Sequence, residues 1–222
     1  MNRFCFGAAC VVIGWTSSLM AADGKLVPVE KAPAGVAEKI AATLNPVGQQ
    51  VVIDTGATCT VWLAKELPVK ADFKPSLSVK YPLAQGQLVG VLEVVKKSGF
   101  TDFRGQEVPA GVYTLRYGQQ PVDGNHVGTS DLADFLLAIP AQADTDPATP
   151  ATPQDLFKLS AKTAGSNHPA IYSLLPPTAD DKTPALAHEK EFWILRLTAD
   201  GKSAGTAVKI PLRVVIVGVS EG

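Results

Sequence analysis

The chain has 222 residues, and its 20 Lys and Arg against 21 Asp and Glu leave a net charge of −1. No run of Lys or Arg forms the basic stripe that a phosphate backbone or an anionic lipid surface requires, which argues against nucleic acid and against a polybasic membrane contact. A hydrophobic fraction of 46% argues against disorder as the default state, and the length suits one large domain.

Residues 1–22 read as a secretory signal peptide. Arg3 supplies the positive start, residues 4–15 are apolar and uncharged, and small residues lead up to Ala22 before Asp23. The apolar run is about a dozen residues, short of the roughly 18 to 20 that cross a bilayer, and no later segment comes closer. The expectation is an exported protein, periplasmic or extracellular, whose residues 23–222 form a single domain with no membrane span after cleavage. Cys5 and Cys10 fall in the leader, and Gly7-Ala8-Ala9 before Cys10 lacks the Leu that opens a lipobox. Cleavage would leave Cys59 alone, with no disulfide inside the chain. Its place between Thr58 and Thr60 is a strand position, where a thiol acts as a small buried apolar group; a reactive or pairing thiol is the alternative.

After a short strand at 25–29, Val36, Ile40 and Leu44 recur every four residues and predict an amphipathic helix over 35–44, ended by Asn45-Pro46. Valine-rich runs broken by Gly, Pro and Asp then predict strands at 50–54, 59–63, 88–95 and 112–117. Pro68, Pro75 and Pro82 mark the link 65–87 as extended chain with one edge strand near 77–81. Residues 119–133 read as a polar loop and 134–139 as a strand. The segment 141–152 alternates Ala, Thr, Asp and Pro and reads as a low-complexity loop with too little apolar surface to order itself.

Thr152 can cap a second helix, with Pro153 at its first position, Asp155 three residues after the cap, Leu156 and Leu159 facing the body and Gly165 at the end. The strongest hairpin follows. Trp193, Leu195 and Leu197 share one face, Asp200-Gly201-Lys202 is the predicted turn, and residues 208, 210, 212, 214 and 216 form the facing apolar row. About eight strands with two short helices, without regular strand and helix alternation, predict an all-β fold, mainly an antiparallel β-sandwich.

No complete catalytic constellation emerges. The run Val51-Val52-Ile53-Asp54-Thr55-Gly56-Ala57 resembles the active-site turn of aspartic proteases, above all the retropepsin-like ones that assemble from two copies. On that resemblance Asp54 would be the catalytic carboxylate, sharing a proton with its counterpart across a homodimer. The chain lacks a second Asp-Thr-Gly or Asp-Ser-Gly, a glycine-rich flap and a strand ending in Leu-Gly, for which Val89-Gly90 is a poor echo. A hairpin turn joining 50–54 to 59–63 explains the same residues.

Asp123, Asn125, His126 and Asp131, with Asp134 beyond them, offer oxygen ligands for calcium, or an imidazole among carboxylates for another divalent metal. The spacing matches no EF-hand, and a polar surface loop is the plainer reading. His126, His168 and His188 lack the spacing of a zinc site, and Ser166 and Ser173 stand outside any nucleophile elbow. Trp62, Trp193 and Tyr81, Tyr113, Tyr117 and Tyr172 could line a carbohydrate groove if several faced solvent together; the alternation around Trp193 and Tyr113 points to core.

The stretches Phe103-Arg104-Gly105-Gln106, Pro109-Ala110-Gly111-Val112-Tyr113-Thr114-Leu115-Arg116-Tyr117, Asp123-Gly124-Asn125-His126 and Asp134-Phe135-Leu136-Leu137, together with the Trp62-Leu63 strand, resemble a family of uncharacterised secreted bacterial proteins over roughly residues 45–140. The resemblance implies a β-rich exported domain without a known activity. The expected function is a non-catalytic binding or structural module of the periplasm or cell envelope with an unknown envelope or extracellular ligand and no cofactor, a divalent metal aside. The homodimeric aspartic protease and a carbohydrate-binding module are the alternatives.

Overall fold

A computed structural model describes residues 23–53, 56–95, 99–120, 133–148, 152–178 and 183–220. The expected all-β fold is present. In chain order the elements are β1 (Gly24–Val29), α1 (Glu38–Ala41), β2 (Gly48–Ile53), β3 (Gly56–Leu63), β4 (Leu67–Val69), β5 (Leu88–Val94) and β6 (Gly111–Gln119). They continue as β7 (Asp134–Pro140), α2 (Pro153–Ala161), β8 (Ile171–Ser173), β9 (Ala185–Glu189), β10 (Phe192–Ser203) and β11 (Thr206–Val217). A seven-stranded antiparallel sheet, ordered β1-β2-β3-β5-β6-β7-β8, curls into a half-barrel against a second sheet in which β10 pairs with β11, β9 and, in parallel, β4. A bridge between Leu174 and Val214 carries the first sheet over to the second.

The core fills the space between the two sheets. Val61, Leu92, Leu115, Tyr117 and Leu136 from the half-barrel meet Trp193, Leu195, Leu197, Leu212 and Val214 from the second sheet, all buried. Strand alternation puts these residues inward. The half-barrel is also covered outside: Ile40 and Leu44 near α1 pack on Trp62 and Val91, and Leu156 of α2 packs on Phe135, Leu137 and Ile139. Burial on both faces explains why β7 reads as an unbroken apolar run after Asp134. At the seam between the sheets β1 lies against β9, and a Cβ on Gly24 would stand 2.2 Å from Cζ3 of Trp193. Cys59 is buried and free, and burial pushes its thiol pKa up, so it is an inert core group.

Four local expectations are corrected. The helix expected over 35–44 is the single turn Glu38–Ala41, because Leu44 leaves to bridge Ala64 and the Asn45 N–H donates to the Leu63 carbonyl. No strand forms at 77–81; Leu77 is 94% exposed, while Tyr81 turns inward and its hydroxyl donates to the Leu175 carbonyl at 2.7 Å. The short strand in this link is β4, which pairs with β10 in parallel.

The turn of the C-terminal hairpin is Ala204-Gly205, at φ 47° and 88°, and not Asp200-Gly201-Lys202. Two successive residues with positive φ match the twist of the flanking strands. Gly201 lies inside β10 because β4 crosses close to it: a Cβ there would stand 2.9 Å from a Val69 methyl and 3.2 Å from the Leu67 carbonyl oxygen. Finally, residues 141–148 are not a free linker, since Arg116 fixes them. Its Nε and Nη2 donate to the two carboxylate oxygens of Asp144 at 2.6 and 2.8 Å, Nη1 to the carbonyls of Gly86 and Ala148, and Nη2 also to that of Asp146. Thr114 donates to Asp144 as well, at 2.5 Å. Every guanidinium N–H is used, so the strap draws its order from one buried charge pair instead of from apolar surface.

The second helix forms as expected. The Thr152 hydroxyl accepts the Asp155 N–H at 3.2 Å, Pro153 takes the first turn, Leu156 is buried, and Gly165 follows the end at φ 60°.

Candidate functional site

Asp54 lies outside the described residues. Its neighbour Ile53 pairs with Gly56 across an antiparallel β2–β3 hairpin, the arrangement expected if Asp54 and Thr55 join two strands. Asp123, Asn125, His126 and Asp131 also lie outside the described residues, and among those described no group of His, Cys, Asp and Glu could hold a metal ion. The strands on either side of that loop are joined down to the pair Gln119 and Asp134.

Asp134 is itself described, and it is a buried anchor. Its Oδ1 accepts the Tyr117 hydroxyl, and its Oδ2 accepts the Lys80 N–H at 2.5 Å, with a further backbone donor from Tyr81. Burial raises the Asp134 pKa above 3.8 despite these donors, and burial with the adjoining carboxylate raises that of the Tyr117 phenol. The folded protein therefore holds this carboxyl proton more tightly than the unfolded chain does. The group's contribution to stability is greatest below its unfolded pKa and is lost as pH rises through the folded one. Asp134→Asn removes the titration and turns an amide N–H2 toward a donor. It is expected to destabilise the protein by about 1–3 kcal/mol, with the gap to the wild type narrowing as the pH rises above about 4. Urea unfolding at several pH values checks this, and a gap that widens over that range contradicts it.

Other polar groups likewise hold the fold. Fully buried Asp102 accepts the backbone N–H groups of Arg104, Gln106 and Ile171 and the Gln106 amide, which folds the 102–106 turn against β8. The Ser166 hydroxyl is engaged with the Gln106 amide oxygen and the His168 carbonyl. His188 stacks on Trp193 with ring centres 4.4 Å apart. Trp62, Trp193, Tyr81, Tyr113, Tyr117 and Tyr172 are all buried, so none of them offers a face for stacking on a sugar.

The concavity that reaches the core opens where β2 and β3 of the half-barrel face β10. It has a volume of about 380 Å³. Val61, Leu63 and Leu197, whose side chains belong to the core, form its floor, and Val47 and Pro184 form its sides. Gln49 stands on its wall, and Thr183 and Thr198 close its rim with their hydroxyls 2.6 Å apart. A second depression, of about 480 Å³, is lined only by residues between Phe157 and Asn167 at the end of α2, and it does not reach the space between the sheets.

No protein-family model, no curated protein and no solved structure matches the chain. The site must be read from its own residues.

Sequence reasoning passed over Gln49, because a strand begun at Gln50 leaves it out. The signal was present in the alternation: Gln49, Val51 and Ile53 share a face, and Gln49 sits opposite Val61. Val51 is fully buried and Ile53 packs on the core, so this face points inward and Gln49 is its one polar member in β2. The Gln49 side chain makes no hydrogen bond to any described residue. Its outward neighbour Gln50 does reach Thr60, at 3.5 Å. The far end of this hairpin, where Ile53 meets Gly56, is about 13 Å along the strand from Gln49.

Proposed function

We propose that the protein is an exported, non-catalytic β-module that binds a small ligand in the cleft between β2, β3 and β10. The observation that carries this reading is the cleft itself: there the inner apolar faces of both sheets reach solvent beside an unpartnered carboxamide. A concave, mostly apolar pocket with a few convergent polar groups is the form that small-molecule sites take, and 380 Å³ falls within their range. Buried Asp102, Arg116, Asp134 and Asp144 are engaged in holding turns and straps, which supports a binding role over a catalytic one. Export rests on the leader-like residues 1–22 and on the resemblance of residues 45–140 to secreted bacterial β-rich proteins. Among the described residues no helix is long and apolar enough to cross a membrane.

The test uses a neutral, environment-sensitive dye such as Nile red with the purified protein. Saturable binding with a fluorescence rise is expected, and Thr198→Trp, which fills the cleft from its exposed rim, is expected to weaken it at least about tenfold by occluding the volume. Binding that is unchanged by Thr198→Trp would place the dye elsewhere and overturn the assignment. Export is checked by the N-terminal sequence of the mature protein, expected to begin near Asp23.

A further inference from the structure

We infer that the ligand of this cleft is an uncharged molecule with an apolar body and one amide group, and that Gln49 selects it. The inference deepens the reading above and rests on it.

Gln49 breaks the pattern of its own strand. An inward position of β2 flanked by Val51 and opposite Val61 favours an aliphatic side chain, which would extend the core at no polar cost. A glutamine there exposes its amide to a cleft whose floor is Val61, Leu63 and Leu197, where no described protein group satisfies it. Gln49 is half-buried, so water serves its amide while the cleft is open, and a ligand that displaces that water must return its hydrogen bonds or lose affinity. Departures from local pattern of this kind concentrate at functional positions.

The chemistry of the missing partner follows from the group itself. A carboxamide presents a donor and an acceptor side by side. A ligand amide returns both in a paired arrangement, an ester can only accept, an ammonium can only donate, and a carboxylate can only accept while carrying charge. None of the described residues lining the cleft is charged, so an ion entering it would lose water without gaining a counter-charge from them. The Thr183 and Thr198 hydroxyls already face each other, and Asn45, the other carboxamide on the lining, donates through its Nδ2 to the Ala64 carbonyl at 3.4 Å, which leaves Gln49 as the lining amide with no partner among the described residues.

The experiment measures binding to the full chain by chemical-shift perturbation with three probes of matched size: hexanamide, whose primary amide sets N–H and C=O side by side, methyl pentanoate and hexanoate. The amide is expected to bind about five- to tenfold more tightly than the ester, the worth of one hydrogen bond, and hexanoate is expected not to bind. Gln49→Leu is expected to erase the difference between amide and ester. Gln49→Met, which keeps size but removes donor and acceptor together, is expected to erase it too and provides a second variant should the first fold poorly. Equal binding of amide and ester by the wild type, or a preference that survives in both variants, overturns the ligand class and leaves the cleft assignment intact. Failure of all three probes together with Nile red removes the cleft assignment itself.

Discussion

Arg116→Met is expected to lower the stability of the protein by about 3–5 kcal/mol, read from the midpoint of urea unfolding. The reason lies in what remains behind. Arg116 is fully buried and Asp144 is 7% exposed, so methionine leaves a carboxylate under the strap with Thr114 as its one side-chain donor among the described residues, and it strips partners from the carbonyls of Gly86, Asp146 and Ala148. Removing one partner of a buried ion pair costs far more than removing both. Arg116→Met combined with Asp144→Leu is therefore expected to recover much of the loss, and additive losses in the double variant would show that the pair is not the source. Limited proteolysis provides a second measurement. The Ala, Thr and Asp residues of the strap have little apolar surface to hold them, so the single variant is expected to be cut there first.

Gly90→Ala is expected to cost about 3 kcal/mol, the upper part of the range for overpacking. A Cβ at this position would stand 2.2 Å from the Trp62 carbonyl oxygen and 3.1 Å from the Leu63 Cα. Both are backbone atoms of β3, the strand paired with β5 at this level, so neither can swing aside as a side-chain end could. The methyl group must push the two strands apart in the middle of the half-barrel, where Trp62 is also held from outside by Ile40 and Leu44. A change of less than about 0.5 kcal/mol in urea unfolding would show that the sheet yields there at little cost. In the sequence Val89-Gly90 is at most a poor echo of the Leu-Gly strand of a retropepsin-like protease. In the fold this glycine serves the close approach of two strands.

The contrast shows which features sequence can carry. Trp193, Leu195 and Leu197, and the row from 208 to 216, were legible because each strand has one face in the core and long regular alternation. The cap and the first turn of α2 were legible because Thr152, Pro153 and Asp155 act within one turn of chain. What escaped depends on distant partners. β8 and β9 are only 3 and 5 residues long and exist through pairing with β7 and β10. The Asp200-Gly201 pair has turn chemistry, but β4 crosses at Gly201 and the hairpin runs on to Ala204-Gly205. Arg116 alternates with inward-facing Leu115 and Tyr117 and so reads as a solvated outer residue, until Asp144, twenty-eight positions later, covers it. The cleft depends in the same way on strands far apart in sequence, and its one local signal, Gln49, was lost when the strand was begun at Gln50.

The contact between Gly24 and Trp193 bears on how the fold is reached in time. A chain synthesised from its N-terminus makes β1 first, yet the ring that lies over Gly24 belongs to a strand that begins at Phe192. The half-barrel can curl early through its hairpins, but its seam stays open until the last long hairpin has been made. Closure of so wide a loop comes late and slowly, because its entropic cost falls due before its contacts form. During that interval the free edge of β1 and the unfilled inner face are where another chain could pair, and completing the C-terminal hairpin ends the exposure.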